Sequence, residues 1–233
     1  MLASIIITNH NYGKFVGECL RSCLNQSIDK SLFEVIVVDD CSTDNSVKVI
    51  NEYLGHYKNL KLIRNKKNLG VAGSSNVGIR VAKGKYIVRV DSDDFINSEL
   101  LRILSYFLEE NNQYFCVGCD YYLVNIDGAK TDKISARDVP ISCGVMYNAK
   151  VLKSIGLYNE KFRHREEEEL RTRIIQNKNL KVFYLNFPLY RYRIHGTNKT
   201  KQKDYINKFK KKILLLNNKY HEYSKQKNKL LKN

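Results

Sequence analysis

The chain has 233 residues, of which 43% are hydrophobic and 27% are charged, and its formal net charge is +16. This length suits one α/β domain with a sizeable core and an appendage. The longest uncharged apolar runs have the length of a strand, which excludes a membrane-spanning helix of roughly 20 residues. Residues Met1–Ala3 lack the basic segment of a signal peptide, so we expect a cytoplasmic protein.

Four strand-like runs alternate with three helical patterns in residues 4–90. The strands are predicted at 4–8, 33–38, 60–63 and 86–90, and the third helix at 71–82. This alternation is typical of a parallel sheet that is covered by helices. The carboxyl ends of such strands lie along one edge, where ligands bind. Polar side chains that follow the strands are therefore expected to cluster.

Acidic side chains follow two of these strands. The second ends in Asp39 and Asp40, and the fourth ends in Asp91-Ser92-Asp93-Asp94. Carboxylates spaced Asp-x-Asp can hold a hard divalent cation that also binds phosphate oxygens, which is the chemistry of a nucleoside-diphosphate site. The alternative is an acidic turn in which Asp94 caps a helix that begins near Phe95.

Several segments, in this order, resemble the family 2 glycosyltransferases of the GT-A fold. They are Ser4–Phe15, Val37–Ser46, Asn68–Gly70 with Asn76 and Gly78, Gly84–Ile87, Asp91–Asp94, Gly156–Phe162, Glu166–Leu170 and Tyr190–His195. The resemblance implies an α/β fold with a Rossmann-like, mostly parallel sheet and helices on both faces. It also implies a GT-A domain over residues 1–200, with a nucleotide-binding half at 1–95 and an acceptor half at 96–200.

The resemblance implies an inverting, metal-dependent hexosyltransferase. The donor would be a nucleotide-diphosphate sugar, and the acceptor a hydroxyl of a glycan or a lipid-linked molecule in bacterial surface polysaccharide synthesis. A buried carboxylate can accept the imide N–H of uracil, which favours a UDP-sugar. The nucleotide-binding positions that match the family are Thr8, Asn9, Asp39, Asp40, Asn68 and Asp91.

The same resemblance gives candidate ligands for a divalent cation. Asp91 and Asp93 are the matching positions, and oxygen ligands of this kind suit Mn²⁺ or Mg²⁺. His195 is a candidate third ligand or a donor to phosphate. The alternative is that His195 is a surface residue, as a single histidine in a loop more often is.

The resemblance places the catalytic base at Glu167, because Glu169-Leu170 matches the Asp-Leu that ends the family motif. The family has Asp at the base position, and the longer side chain here allows the role to pass to Glu166. Crowding of Glu166–Glu169 predicts at least one raised pKa, which suits a general base. The alternative is that these acids only form the first turn of a helix, where they complement its dipole.

Six cysteines are present, and Cys116-Val117-Gly118-Cys119 is the only C-x-x-C segment. Zinc usually needs two such pairs. We therefore predict free thiols in a reducing compartment.

The C-terminal residues are strongly basic, with twelve lysines from Lys199 to Asn233 against Asp204 and Glu222. Apolar residues recur there at helical spacing, which predicts a basic amphipathic helix over 201–233. This helix either lies on an anionic membrane surface or docks on the domain. Nucleic-acid binding is a third interpretation of the charge, but no recognition motif supports it, so no nucleic-acid partner is predicted.

Two other functions fit parts of the pattern. A nucleotidyltransferase that forms sugar nucleotides typically has a Gly-rich loop with Arg after its first strand, whereas Thr8–Lys14 contains one Gly and no Arg. A non-catalytic carbohydrate- or nucleotide-binding module is the stronger alternative. In this case Glu167, at the position where the family has Asp, would mean that the catalytic base has been lost. Turnover separates this module from an enzyme.

Overall fold

A computed structural model describes residues 1–163 and 165–196. The predicted tail at 201–233 lies outside the described residues. The elements in chain order are β1 Ala3–Asn9, α1 Gly13–Leu24, β2 Phe33–Asp39, α2 Ser46–Leu54, β3 Leu60–Arg64, α3 Gly70–Val81, β4 Tyr86–Asp91, β5 Phe95–Ile96, α4 Leu100–Glu110, β6 Tyr114–Val124, β7 Lys130–Ile134, β8 Val145–Asn148, α5 Ala149–Ser154, α6 Glu166–Gln176 and β9 Lys181–Arg193.

The described strands form one mixed sheet in the order β3-β2-β1-β4-β8-β6-β9-β5, with β7 paired to β6. The first four strands are parallel to one another, as the alternating pattern predicts. Beyond β4 the directions mix, because β8 lies antiparallel to both β4 and β6 while β9 is parallel to β6. The parallel part is thus confined mainly to the first half of the chain.

Helices cover both faces of the sheet, as expected. Every residue of β1 and β2 is buried, because a parallel strand between two helical layers has no face in water. Alternate residues then enter opposite cores. Ile5 and Ile7 belong to the core that includes residues of α1 and α4, whereas Ile6 belongs to the core that includes residues of α3, α5 and α6. No helix of the described part is long and apolar enough to cross a membrane.

The strand register brings the polar ends together. Thr8 pairs with Asp91 between β1 and β4, and Asn9 pairs with Asp39 between β1 and β2. The predicted clustering of polar side chains at this edge is therefore confirmed.

The alternative in which Asp94 caps a helix from Phe95 is wrong. Phe95–Ile96 form β5, which pairs with β9, and the helix begins only at Leu100. The carboxylate of Asp94 instead accepts hydrogen bonds from the hydroxyl of Tyr190 at 2.6 Å and from the backbone N–H of Arg193 at 2.8 Å. A partner strand that arrives about 100 residues later in the chain thus takes the segment that local signals assign to a helix.

All six cysteines lie in the described part of the chain, and all six are free. Cys41 is exposed, and the others are buried, where each acts as a small apolar side chain. The prediction of free thiols is confirmed.

Candidate functional site

A cleft opens at the carboxyl ends of β1, β2 and β4. Five of the predicted site residues line it: Thr8, Asn9, Asp40, Asp91 and Asp93. The strand register described above explains why side chains from distant sequence positions meet here. Asp39, Asn68, His195, Glu166 and Glu167 do not line this cleft.

Asp40 ties β2 to the loop that begins α3. Its carboxylate accepts the backbone N–H groups of Leu69 at 2.7 Å and Gly70 at 2.8 Å, and the side-chain amide of Asn65 at 2.9 Å. Gly70 has φ 76°, a left-handed conformation that suits glycine. A carboxylate has about four lone-pair positions, and the described residues occupy three of those of Asp40, so one can accept a ligand N–H in the cleft.

Asp39 does not line the cleft but contacts residues next to it. It is fully buried, and its carboxylate accepts the amide of Asn9 at 2.9 Å and the backbone N–H of Ser42 at 3.1 Å. The amide nitrogen of Asn9 also donates to the hydroxyl of Ser42 at 3.1 Å. These contacts fix the side chain of Asn9, which lines the cleft together with Asp40.

Asp91 is the most accessible acid of the cleft, with 33% of its side chain exposed. The hydroxyl of Thr8 donates to its carboxylate at 3.3 Å, and the Nε of Arg89 lies 3.5 Å from the same oxygen. The hydroxyl of Tyr190 receives the backbone N–H of Asp91 at 3.2 Å. This acid is thus fixed in place while one edge of it remains open to a ligand.

Asp93 and His195 face each other, with 3.0 Å between Oδ2 and Nε2. His195 is only 6% exposed and its ring contacts the rings of Tyr12 and Phe15, so the alternative that it is a surface residue is wrong. Burial, followed by the negative charge of Asp91, raises the pKa of Asp93. The negative charge of Asp91 thus adds to the cost of ionising the buried carboxyl of Asp93.

The donor set fits a divalent cation that protein and ligand would hold together. In residues 1–163 and 165–196, no group of three or more His, Cys, Asp or Glu is placed to hold a metal ion. Mg²⁺ is usually bound through one or two carboxylates, with phosphate oxygens and water completing its shell. Asp93 and the partly open Asp91 match that arrangement, and a cation would offset the charge of Asp91, which is the second cause of the raised pKa of Asp93 after burial.

Asn68 lies at the rim of the cleft rather than in it. Its side-chain oxygen accepts the backbone N–H of Gly70 at 3.2 Å and a guanidinium N–H of Arg163 at 3.2 Å. Arg163 also approaches Gly70 closely, since an added Cβ there would lie 3.3 Å from its Cδ. An exposed cation therefore stands beside the acidic cleft.

Sequence reasoning did not single out several residues of the cleft. They are His10, Tyr12, Gly70, Val71, Ser74 and Tyr192. His10 and Tyr12 immediately follow the first predicted strand, and Gly70–Ser74 begin the third predicted helix. The position of these residues near element ends was one signal, and four of them lie in the segments Ser4–Phe15, Asn68–Gly70 and Tyr190–His195 that resemble the family.

The four consecutive glutamates start α6, and three of them are ion-paired. Glu166 accepts a hydrogen bond from Arg89 at 3.1 Å, Glu168 pairs with Arg165, and Glu169 pairs with Arg173 at 2.8 Å. In the part of the chain that the structure describes, no ion pair reaches Glu167. The alternative in which these acids start a helix is thus correct as a description of the element, and Glu167 is the member that remains available.

Glu167 lies in a second, smaller cavity. Cys116, Tyr147, Arg171 and Tyr184 also line this cavity, which shares no lining residue with the acidic cleft. Burial first, and then the charge of Glu166, raise the pKa of Glu167 to about 7. The prediction of one raised pKa among these glutamates holds, although burial outweighs like-charge repulsion as its cause. A carboxylate with this pKa can accept a proton near neutral pH.

Comparison with known proteins agrees with this geometry. A family model described as Glycosyl transferase family 2 matches residues 4–155. The crystal structure of Staphylococcus aureus TarS 1–349 in complex with UDP-GlcNAc superposes with a TM-score of 0.75 at 25% sequence identity. That superposition covers 87% of this chain and 61% of the TarS chain.

Two curated relatives match over a shorter stretch. The Poly(ribitol-phosphate) beta-glucosyltransferase of Bacillus spizizenii is 41% identical over 143 residues, which are 61% of this chain and 21% of that protein. The Poly(ribitol-phosphate) beta-N-acetylglucosaminyltransferase TarS of S. aureus is 35% identical over 143 residues, which are 61% of this chain and 23% of TarS. The chain spans less than a quarter of the length of these relatives.

Proposed function

The chain belongs to glycosyl transferase family 2, and from this premise we propose that it transfers a hexose from a nucleotide-diphosphate sugar to an acceptor hydroxyl, with inversion at the anomeric carbon. Residues 1–95 would bind the donor, and residues 96–200 would supply the base and the acceptor site. The acidic cleft supports the first half of this proposal, and the separate cavity of Glu167 supports the second.

UDP-sugars are the proposed donors. The remaining lone pair of Asp40, which lines the cleft, can accept the imide N–H of uracil. The TarS structure is a complex with UDP-GlcNAc, and the B. spizizenii relative is a glucosyltransferase. UDP-N-acetylglucosamine and UDP-glucose are therefore the first donors to test, with a poly(ribitol phosphate) polymer as the first acceptor.

Glu167 is the proposed base. Its carboxylate takes the proton of the acceptor hydroxyl while that oxygen forms a bond to the anomeric carbon. The bond from this carbon to the diphosphate breaks in the same displacement, and the diphosphate leaves with the electron pair. Glu166 is less suited to this role because its buried carboxylate is engaged by Arg89.

Asp93 and Asp91 are the proposed ligands of Mn²⁺ or Mg²⁺. When bound, the cation would neutralise charge on the leaving diphosphate. His195 would orient the carboxylate of Asp93, since its Nε2 lies 3.0 Å from Oδ2 and its ring contacts the rings of Tyr12 and Phe15.

The observation that carries the proposal is the contrast between Glu167 and its ion-paired neighbours. The test is release of UDP and transfer of labelled sugar from UDP-N-acetylglucosamine or UDP-glucose, with Mn²⁺, to poly(ribitol phosphate). Glu167→Gln should lower turnover by at least about 100-fold. Glu168→Gln is the matched control, because it changes the next glutamate, which pairs with Arg165, and should leave turnover near that of the wild type.

Two results would count against the proposal. Equal turnover of the Glu167→Gln variant and the wild type would remove Glu167 as the base. Binding of UDP without turnover of either donor in the presence of poly(ribitol phosphate) would favour the non-catalytic module.

A further inference from the structure

Arg89 is a buried cation in the middle of the central strand β4. Only 3% of the residue is exposed, and its neighbours Val88 and Val90 are fully buried apolar residues. A buried charge is costly unless it is paired, and an apolar side chain of similar volume often serves the fold as well or better. The presence of a guanidinium at this position therefore calls for a reason beyond packing.

The guanidinium joins three separate parts of the chain. One Nη donates to the carboxylate of Glu166 at 3.1 Å, the other donates to the hydroxyl of Ser142, and Nε lies 3.5 Å from the carboxylate of Asp91. The ring of Tyr158 packs 5.2 Å from the guanidinium carbon. A planar fork with donors on several sides can make these contacts at once, which a lysine cannot.

These contacts connect the two cavities of the proposed active site. Asp91 lines the nucleotide cleft, where Thr8 holds it, and Glu166 is the first residue of α6, directly before Glu167. The path from one cavity to the other is thus Asp91, Arg89, Glu166. The Nε of Arg89 makes no hydrogen bond among the described residues, although it lies close to Asp91, so this end of the link has capacity for a closer contact.

We propose that Arg89 is a positioning residue that fixes the first turn of α6 relative to the nucleotide cleft, so that Glu167 meets an acceptor hydroxyl at the anomeric carbon of a bound donor. The inference rests on the proposed glycosyl transfer. It assigns to Arg89 a role in turnover that is separate from donor binding and from neutralisation of Glu166. A misplacement of a catalytic group by about 1 Å can cost about 100-fold in rate.

The test compares Arg89→Met, the double variant Arg89→Met/Glu166→Gln and Arg89→Lys with the wild type. Three quantities are measured for each: the unfolding temperature, the dissociation constant of UDP with Mn²⁺, and the turnover of UDP-N-acetylglucosamine or UDP-glucose. Arg89→Met should lower turnover by about 100-fold while the dissociation constant of UDP changes by less than about fivefold. Its unfolding temperature should fall, because Glu166 is left buried without its partner.

The double variant separates positioning from charge balance. Removing both charges should restore the unfolding temperature towards that of the wild type, while turnover stays low because the link to Asp91 is still absent. Arg89→Lys keeps the charge, should fold, and should remain at least about tenfold below wild-type turnover, because the three N–H donors of an ammonium share one nitrogen and cannot reach partners that lie around both Nη atoms and Nε of a guanidinium. Arg173→Met is the control for α6, since it removes another guanidinium that pairs with this helix, and its turnover should stay within about threefold of the wild type.

Several outcomes would overturn the inference. If Arg89→Met, Arg89→Lys or the double variant had wild-type turnover, Arg89 would serve only in packing or as a counter-ion of Glu166. An equal loss of turnover in Arg173→Met would show that any loosening of α6 is sufficient. Failure of the proposed function has a different signature, because the wild type would then bind no UDP or release none from either donor.

Discussion

Turnover is expected to fall about tenfold for each pH unit below about 7, because the proposed base must be ionised to accept a proton. Burial and the neighbouring charge of Glu166 raise the pKa of Glu167 from 4.5 to about 7. At pH 6 about one tenth of this carboxylate is then ionised, and at pH 8 about nine tenths. A glutamate with an ordinary pKa would be almost fully ionised at both values.

The assay is the pH dependence of kcat, with donor, acceptor and Mn²⁺ all saturating. Saturation matters because Asp93 also has a raised pKa, so that loss of the cation at low pH could imitate titration of the base. The ratio of kcat at pH 6 to kcat at pH 8 should be about 0.1 for the wild type. A second arm uses Glu166→Gln, which removes the second cause of the raised pKa and should move the acid limb to lower pH.

A kcat that stays constant from pH 8 down to about pH 5 would refute the reasoning, because no group with a pKa near 7 would then control the chemical step. An acid limb that is unchanged in Glu167→Gln would assign the titration to another residue.

Three further predictions concern stability. Glu167→Gln should raise the unfolding temperature at pH 8 but not at pH 4. The pKa of Glu167 is higher in the folded state than in the unfolded state, so ionisation of this carboxyl lowers the stability of the fold as the pH rises from 4.5 to about 7. The full pKa shift corresponds to about 3 kcal/mol, and this falls to about 1–2 kcal/mol because the group is partly exposed. Tyr190→Phe should lower the free energy of unfolding by about 1–3 kcal/mol in a denaturant titration, because the hydroxyl donates to the buried carboxylate of Asp94; an unchanged value would show that this bond contributes nothing. Gly78→Ala should lower the free energy of unfolding by about 1–3 kcal/mol, since the added Cβ would lie 2.6 Å from the side chain of Ile6 in β1. Gly55→Ala is the control and should not be destabilising, because nothing lies within 4 Å of its added Cβ.

Local sequence predicted the first half of the fold well. The predicted strands at 4–8, 33–38, 60–63 and 86–90 differ from the observed ones by at most one residue at either end. These strands are buried on both faces, so they appear as continuous apolar runs that end abruptly in polar residues. The same abrupt ends marked the residues of the cleft.

The second half depends on contacts that no local pattern reveals. β8 enters the sheet between β4 and β6, and Phe95–Ile96 become a strand only because β9 lies beside them. Asp93 and His195 meet across 102 positions of sequence, and Arg89 and Glu166 meet across 77. Spacing along the chain carries no information on such pairs. The only local signal of the contacts between Arg89, Asp91 and Glu166 was an Arg within an apolar strand.

The proposal of Glu167 rather than Glu166 as the base also rests on the structure. Both residues stand in the same run of four glutamates, and both match the acidic pattern of the family motif. Their environments differ, because Arg89 binds one of them and the other lies in a cavity of its own. The pKa follows from this difference and not from the sequence.

The central claim is that the acidic cleft binds a nucleoside diphosphate together with a divalent cation. The most direct measurement is calorimetric titration of the protein with UDP, GDP and CDP, with and without Mn²⁺. Asp93→Ala is the test variant, and Asp127→Ala, which removes an exposed acid of a turn, is the control. The account predicts Mn²⁺-dependent binding of UDP that disappears in Asp93→Ala and persists in Asp127→Ala, whereas absence of nucleotide binding under every condition, or equal binding to both variants, would contradict it.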